Sequence, residues 1–433
     1  MRGDERRKKG EIMREIKEVE NLVIRKIEGE RSSVVDLLRR LVRASKPQEE
    51  VQTQNIVKKE LKNICKEIDV WEPDIVELKK HPAFFPEDMN YAKRPNVVGI
   101  MSGSGEGKSM ILNAHIDVVD PGLDAYWKYE DPWSGRVEKG KLYGRGACDD
   151  LSGVVAGLYA LKSIKEVGFP LKGNIIFESV VDEEWGGGGT LSAVMRNYKT
   201  DGAIILEPSG LEINPANRGG QAFMIEISGK GVHPRMSYQG VSAIDKAMGI
   251  ITALKNLQQI IQEDQRTAVF KDFPVFAPVT IYGVQAGTDI PKVPEKCIFK
   301  GLLGYVSPQS YKEARQQLEE YVEKLASLDP WLRNHPPKVS WLGLNKEPSE
   351  TSVDHPLVKT TEECFEYVTG EKPQVRALPA GTDASFLTKY GGIPTILFGA
   401  KGANCHTSNE YVEIDTIITV AKVIAVTLLN WCS

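Results

Sequence analysis

Imidazoles and carboxylates recur in this chain at places where short apolar runs end. His115-Ile116-Asp117 closes the run that starts at Met110. Asp149-Asp150 follows Gly144-Arg145-Gly146, just before a helical stretch. Asp182-Glu183-Glu184 closes the run 174–181, and Glu207 closes 202–206. Asn404-Cys405-His406 follows the run 395–398. Taken one at a time, these residues are ambiguous. Period-two geometry puts His115 and Asp117 on one face, as a ligating imidazole and its orienting carboxylate would be, but a structural His–Asp hydrogen bond has the same spacing. Paired aspartates before a helix also read as caps. Three adjacent acids repel one another and need a cation or open solvent. The sum is more specific. Two divalent ions need one imidazole and one terminal carboxylate each, with a third carboxylate shared between them. One His, one Asp, two Glu and a second His, each in a loop after a strand, are about that set. Two ions held about 3.5–4 Å apart clamp an attacking water, and a spare acid beside a ligand can serve as its base.

The elements that must position these groups follow from periodicity. Residues 11–45 read as a helix, with Val35, Leu37, Leu38, Leu41 and Val42 at helical spacing. The charged start, residues 1–20, reads equally as a solvated arm or an extra helix. From Asn96 to Leu206, short apolar runs alternate with helical stretches, which predicts an α/β unit with a largely parallel sheet. In such sheets ligands bind at the carboxyl ends of the strands. After Gly219-Gly220 the order is strand, helix, strand, strand, helix, strand, a compact α+β unit. Helix 356–368, strand 395–398 and helix 414–431 then resume the first pattern. The chain is expected to be an α/β domain, residues 1–218 and 346–433, interrupted by an inserted α+β domain at 219–345.

Composition excludes some partners. The 433 residues carry a formal net charge of −4, so a basic face for nucleic acid is not expected. No run reaches the roughly 18 uninterrupted apolar residues of a membrane span. The nearest, 417–429, contains Lys422. Six cysteines lack CxxC spacing, which points away from a disulfide framework and towards a reducing cytoplasm. The segment from Gly103 to Ser109 ends in Gly-Lys-Ser, but a phosphate loop needs glycine where Ser102 stands and a helix where strand-like Met110-Ile111-Leu112 follows. A hairpin turn is the better reading.

The order HxD, GRGxxDD, DEE, EP and a late loop histidine resembles the M20 family of metallopeptidases and N-acyl-amino-acid deacylases, from about residue 96 to the C-terminus. The resemblance implies a zinc-exopeptidase-like catalytic domain with a mostly parallel mixed sheet and a ferredoxin-like lid that dimerises. It implies two zinc ions, replaceable by cobalt or manganese. His115 and Glu207 would hold one, Glu184 and His406 the other, with Asp149 bridging and Asp117 orienting His115. Glu183 would be the general base. His233, in the lid, would reach a partner's site and stabilise the oxyanion. The substrate would be a small N-acyl or peptide molecule. Many relatives bind a substrate carboxylate with an arginine at the end of a lid strand, but here that strand ends Gly301-Leu302-Leu303-Gly304-Tyr305. Arg218 remains as a cationic candidate, with Thr382 and Asp383 as further substrate contacts. His81, His335 and His355 each precede a proline and are assigned to the surface.

Overall fold

The computed structural model describes residues 2–85, 89–287 and 290–433, with side chains from residue 16 onward. The chain threads β1 (Glu67–Trp71), β2 (Asn96–Met101), β3 (Met110–His115), β4 (Ile175–Val180) and β5 (Ala203–Ile205) through one sheet. It then builds a second sheet from β6 (Gly219–Ser228), β7 (Val279–Ala286), β8 (Lys296–Tyr305) and β9 (Lys338–Lys346). It returns to the first sheet with β10 (Thr395–Leu397). The first sheet has the order β1-β2-β4-β3-β5-β10. β4, β3, β5 and β10 are parallel, and β2 and β1 extend that sheet antiparallel. The mostly parallel mixed sheet expected from the sequence is present. β3, β4, β5 and β10 are buried at every position. Burial on both faces is why they read as unbroken apolar runs and do not alternate.

The helices are α1 (Arg2–Gly29), α2 (Arg31–Ala44), α3 (Val51–Lys62), α4 (Leu151–Val167), α5 (Gly188–Met195), α6 (Ala243–Asp264), α7 (Tyr311–Leu328), α8 (Pro356–Thr369) and α9 (Ile414–Trp431). The single helix expected over 11–45 is two, separated by a turn at Glu30 after the poor helix former Gly29. The charged start is an extra helix, Met1 lying outside the described residues. Val23 and Ile27 are buried in the core, Asn430 Nδ2 donates to Glu20 at 2.7 Å, and Lys422 pairs with Glu28 at 2.9 Å. These contacts pin α1 to α9. By length and a mean hydropathy of 1.6, α9 could cross a membrane, but 78% of it is buried within the fold. The sequence reading passed over α3 and β1, which lack a clean apolar period.

The second sheet has the order β7-β8-β6-β9, antiparallel throughout. With α6 after β6 and α7 after β8, this is the ferredoxin-like arrangement. It has its own core, in which Phe223, Leu254, Phe299 and Leu318 are fully or almost fully buried. A capping box at Ser310, closed by Glu313, starts α7.

Candidate metal centre

Parallel pairing of β4, β3, β5 and β10 sets their carboxyl ends side by side. β3 ends on His115, Glu183 and Glu184 follow β4, Glu207 follows β5, and His406 lies in the loop beyond β10. Asp149 enters from the turn before α4. Its two oxygens face two different imidazoles. Oδ1 lies 3.0 Å from His115 Nε2, and Oδ2 lies 3.3 Å from His406 Nε2. A further carboxylate meets each ring: Glu207 Oε1 at 3.8 Å from His115 Nε2, and Glu184 Oε2 at 2.8 Å from His406 Nε2. Two ligand atoms on one tetrahedral zinc are roughly 3.3 Å apart, and these separations straddle that value. Ligand atoms of His115, Asp149 and Glu184, and of His115, Glu183 and Glu207, form two overlapping groups within 4.8 Å. The donor set fits a pair of divalent ions that share Asp149.

The electrostatics fit the same pair. Burial opposes charge on His115, yet hydrogen bonding to Asp117 and Asp149 holds its pKa well above the usual histidine value. Hydrogen bonds to Asp149 and Glu184 push His406 up to about 11. Burial would raise Asp149, but the two imidazoles hold it well below the carboxylate range. Burial, with repulsion from Asp149, pushes Glu184 up to about 7 and raises Glu207. The cluster therefore binds protons on the groups that would take cations. Because the Asp149 and Glu184 carboxylates raise the His406 pKa to about 11, an ion bound at that imidazole would displace its proton. Metal affinity is expected to rise with pH between 6 and 9, by about tenfold per unit for each proton released. Titration calorimetry in buffers of different ionisation enthalpy would read that release, and an affinity independent of pH would refute it.

Residues 111–430 match the peptidase family M20/M25/M40. This chain is a member of that family. The chain is 30% identical over 371 residues to the N-formyl-4-amino-5-aminomethyl-2-methylpyrimidine deformylase of Halalkalibacterium halodurans, covering 79% of this chain and 84% of that one. In fold it is similar to the di-peptidase Dug1p of Saccharomyces cerevisiae, with a TM-score of 0.75 at 16% identity over 95% of this chain and 98% of the other. It is also similar to the YXEP protein of Bacillus subtilis, described as a dinuclear metal binding peptidase of the M20 family, with a TM-score of 0.57 at 17% identity over 94% and 99%. The protein is thus an M20 hydrolase of C–N bonds.

Several side chains that shape this M20 site carried little sequence signal. Asp117 meets the far side of the His115 ring. Nδ1 lies 3.0 Å from the Asp117 carbonyl and 3.6 Å from Oδ1. The Asp117 carboxylate also accepts the N–H groups of Glu183 and Glu184, at 3.1 and 3.2 Å. Asp150 does not cap α4 with its side chain, so the cap reading fails there. Asp182, at φ +69°, accepts from Tyr91 Oη at 2.7 Å and from the Gly188 N–H at 3.0 Å. Nearby, Arg94 is locked on Glu50 by two hydrogen bonds, at 2.8 and 3.0 Å.

Glu410 ties the loop that carries Asp149 to the loop that carries His406. It accepts from Arg145 at 2.6 Å, from the N–H of Gly146 and Cys148 at 2.9 Å, and from that of Asp149 at 3.1 Å. Its position four residues after His406 was the one available sequence hint. Outer partners of this kind tune metal sites by 10–100-fold. Glu410→Gln is expected to weaken metal binding by about that factor, read by chelator competition. Parental affinity in that variant would confine Glu410 to folding.

A cleft of about 650 Å³ opens over the cluster. Asp149, Glu183, Glu184, Glu207 and His406 line it with Trp185, Arg218, Leu302, Leu344, Lys346, Leu378 and Thr382. Arg218 donates to the carbonyls of Pro379 at 2.8 Å and Gly219 at 3.1 Å. Burial pulls it down to about 10. Asp383 is engaged by Lys346. His233 is exposed on the lid, where its ring accepts from the Arg235 N–H at 3.2 Å, and it does not line the cleft of a single chain. His355 caps α8, His335 stacks on Trp331, and His81 packs half-buried against Tyr390.

Proposed function

We propose that this M20 hydrolase removes a small acyl group, formyl or acetyl, from the nitrogen of an amine or amino acid. The carrying observation is the wall of the cleft. Leu302 lines it from a lid strand whose last five residues, 301–305, contain no arginine, and Leu344 and Leu378 extend the apolar surface. Arg218 is the cation left to meet a carboxylate or carbonyl oxygen of the substrate. Among the described residues no acid lies within ion-pair distance of it. The similarity to a deformylase supports the same substrate class. A cleft of this size suits a small molecule.

In this reading Asp149, with His115 and Glu207 on one side and His406 and Glu184 on the other, would hold two zinc ions, with cobalt or manganese as substitutes. A metal pair there would supply Lewis acidity and a more acidic water. Glu183 takes a proton from the attacking water and delivers it to the departing nitrogen. Arg218 and Thr382 orient the substrate. The protein works as a homodimer through the lid, and His233 from a second copy hydrogen-bonds the developing oxyanion. Six cysteines free of disulfides suit a cytoplasmic enzyme.

The test is a panel of N-formyl amines, N-acetyl amino acids and dipeptides, assayed for amine release with zinc- or cobalt-loaded protein. Release from the formyl or acetyl compounds is expected. Release from dipeptides alone would replace this reading with a peptidase.

A further inference from the structure

We propose that Lys346 is a positioning residue for this reaction, carried in by the lid strand to hold the Glu183 carboxylate in one orientation. The proposal rests on the reading of Glu183 as the base.

Two features of the lysine carry it. Its backbone belongs to the lid sheet, as the last residue of β9, paired with Gly220 at the start of β6. Its side chain belongs to the reacting cleft. Lys346 Nζ lies 3.1 Å from Glu183 Oε1 and contacts Asp383 Oδ1. The side chain is 6% exposed. An ammonium buried to that degree is costly unless paired. Asp383 alone would satisfy a structural ion pair, and the lysine could then sit away from the cleft. Instead it lines the cleft and its second partner is the base.

The surroundings are built for this contact. Asp117 fixes the backbone of Glu183 at 3.1 Å. Lys346 adds a contact at the carboxylate itself. Asp383 in turn holds the lysine, and its approach depends on Gly187. That residue has φ +73°, and a Cβ there would lie 2.6 Å from Asp383 Oδ1. A Cβ at Gly381 would lie 3.0 Å from that of Lys346. Gly187 belongs to the run Gly186 to Gly189 that follows the three acids. The chain leaves the lid sheet at Lys346, so the lysine links that sheet to the Glu183 carboxylate.

Steady-state kinetics on the zinc-loaded full chain tests this, with every rate normalised to bound metal. Lys346→Met is expected to lower kcat by about 10²-fold, the scale of a small misplacement, with KM within about threefold, since the contact acts on the base and not on substrate. Lys346→Arg should recover at least about tenfold of that loss. In a Glu183→Gln background, Lys346→Met should cost less than about threefold more, because the two act as a unit. Three results would overturn the proposal: parental kcat in Lys346→Met, an equal loss in both backgrounds, or a raised KM with unchanged kcat. If Lys346→Met does not fold, Asp383→Asn decides. It keeps the lysine and loosens it, so kcat should fall about tenfold with KM and metal content unchanged. Parental kcat there would also overturn the proposal. A fully active Glu183→Gln would instead remove the base reading itself, so the two failures are distinguishable.

Discussion

Replacing Glu183 by glutamine is expected to lower kcat by about 10²–10⁴-fold, the range of a positioned acid–base group, while the metal content stays at the parental value. Glutamine has nearly the shape of glutamate, and the backbone hydrogen bond to Asp117 does not depend on the side chain. What the variant lacks is a group that can take a proton and return it. The loss should fall on kcat with KM little changed, because ground-state binding does not use the base. Metal analysis and kinetics on one preparation separate this outcome from loss of ions. A variant that hydrolyses at the parental rate would place the proton transfer elsewhere.

Asp149→Ala is expected to have the other large effect. The carboxylate that faces both imidazoles is gone, so neither His115 nor His406 keeps its shared partner. Both ions should be lost, and activity should fall by more than about 10³-fold, beyond the cost of one electrostatic donor. Stability gives an independent readout. Zinc at 100 times its dissociation constant stabilises a folded site by about 2.7 kcal/mol. Zinc should therefore raise the Tm of the parent and leave that of the variant unchanged. A variant that still binds two equivalents of zinc would show that Asp149 is not the bridge.

Much of the site was legible because its residues stand next to strands that periodicity identifies. His115, Glu184, Glu207 and His406 each follow an apolar run, and such runs in an α/β pattern end on one edge of a sheet. The ferredoxin-like insert was legible for a similar reason, since β6 and β8 have long apolar patterns and α7 opens on a capping box. The resemblance supplied the order of the motifs, which no single spacing could. Residues whose role depends on distant partners were not legible. Lys346 stands at the end of β9, two residues before Pro348, and nothing adjacent in the sequence marks it. The charged start read equally as an arm or as a helix, because its stabilising partner α9 lies some 400 residues later.

The sequence by itself determined the composition of the centre: which imidazoles and carboxylates exist, and that strand ends carry them. It did so because local periodicity and adjacency are written in neighbouring residues. Only the tertiary structure decided their pairing. It put Asp149 between His115 and His406, set the Asp117 carboxylate against the N–H groups of Glu183 and Glu184, joined two loops through Glu410, and brought Lys346 from the lid sheet to Glu183. Hydrogen bonds and ion pairs act over about 3 Å in space whatever their separation along the chain, so sheet order and packing choose the partners.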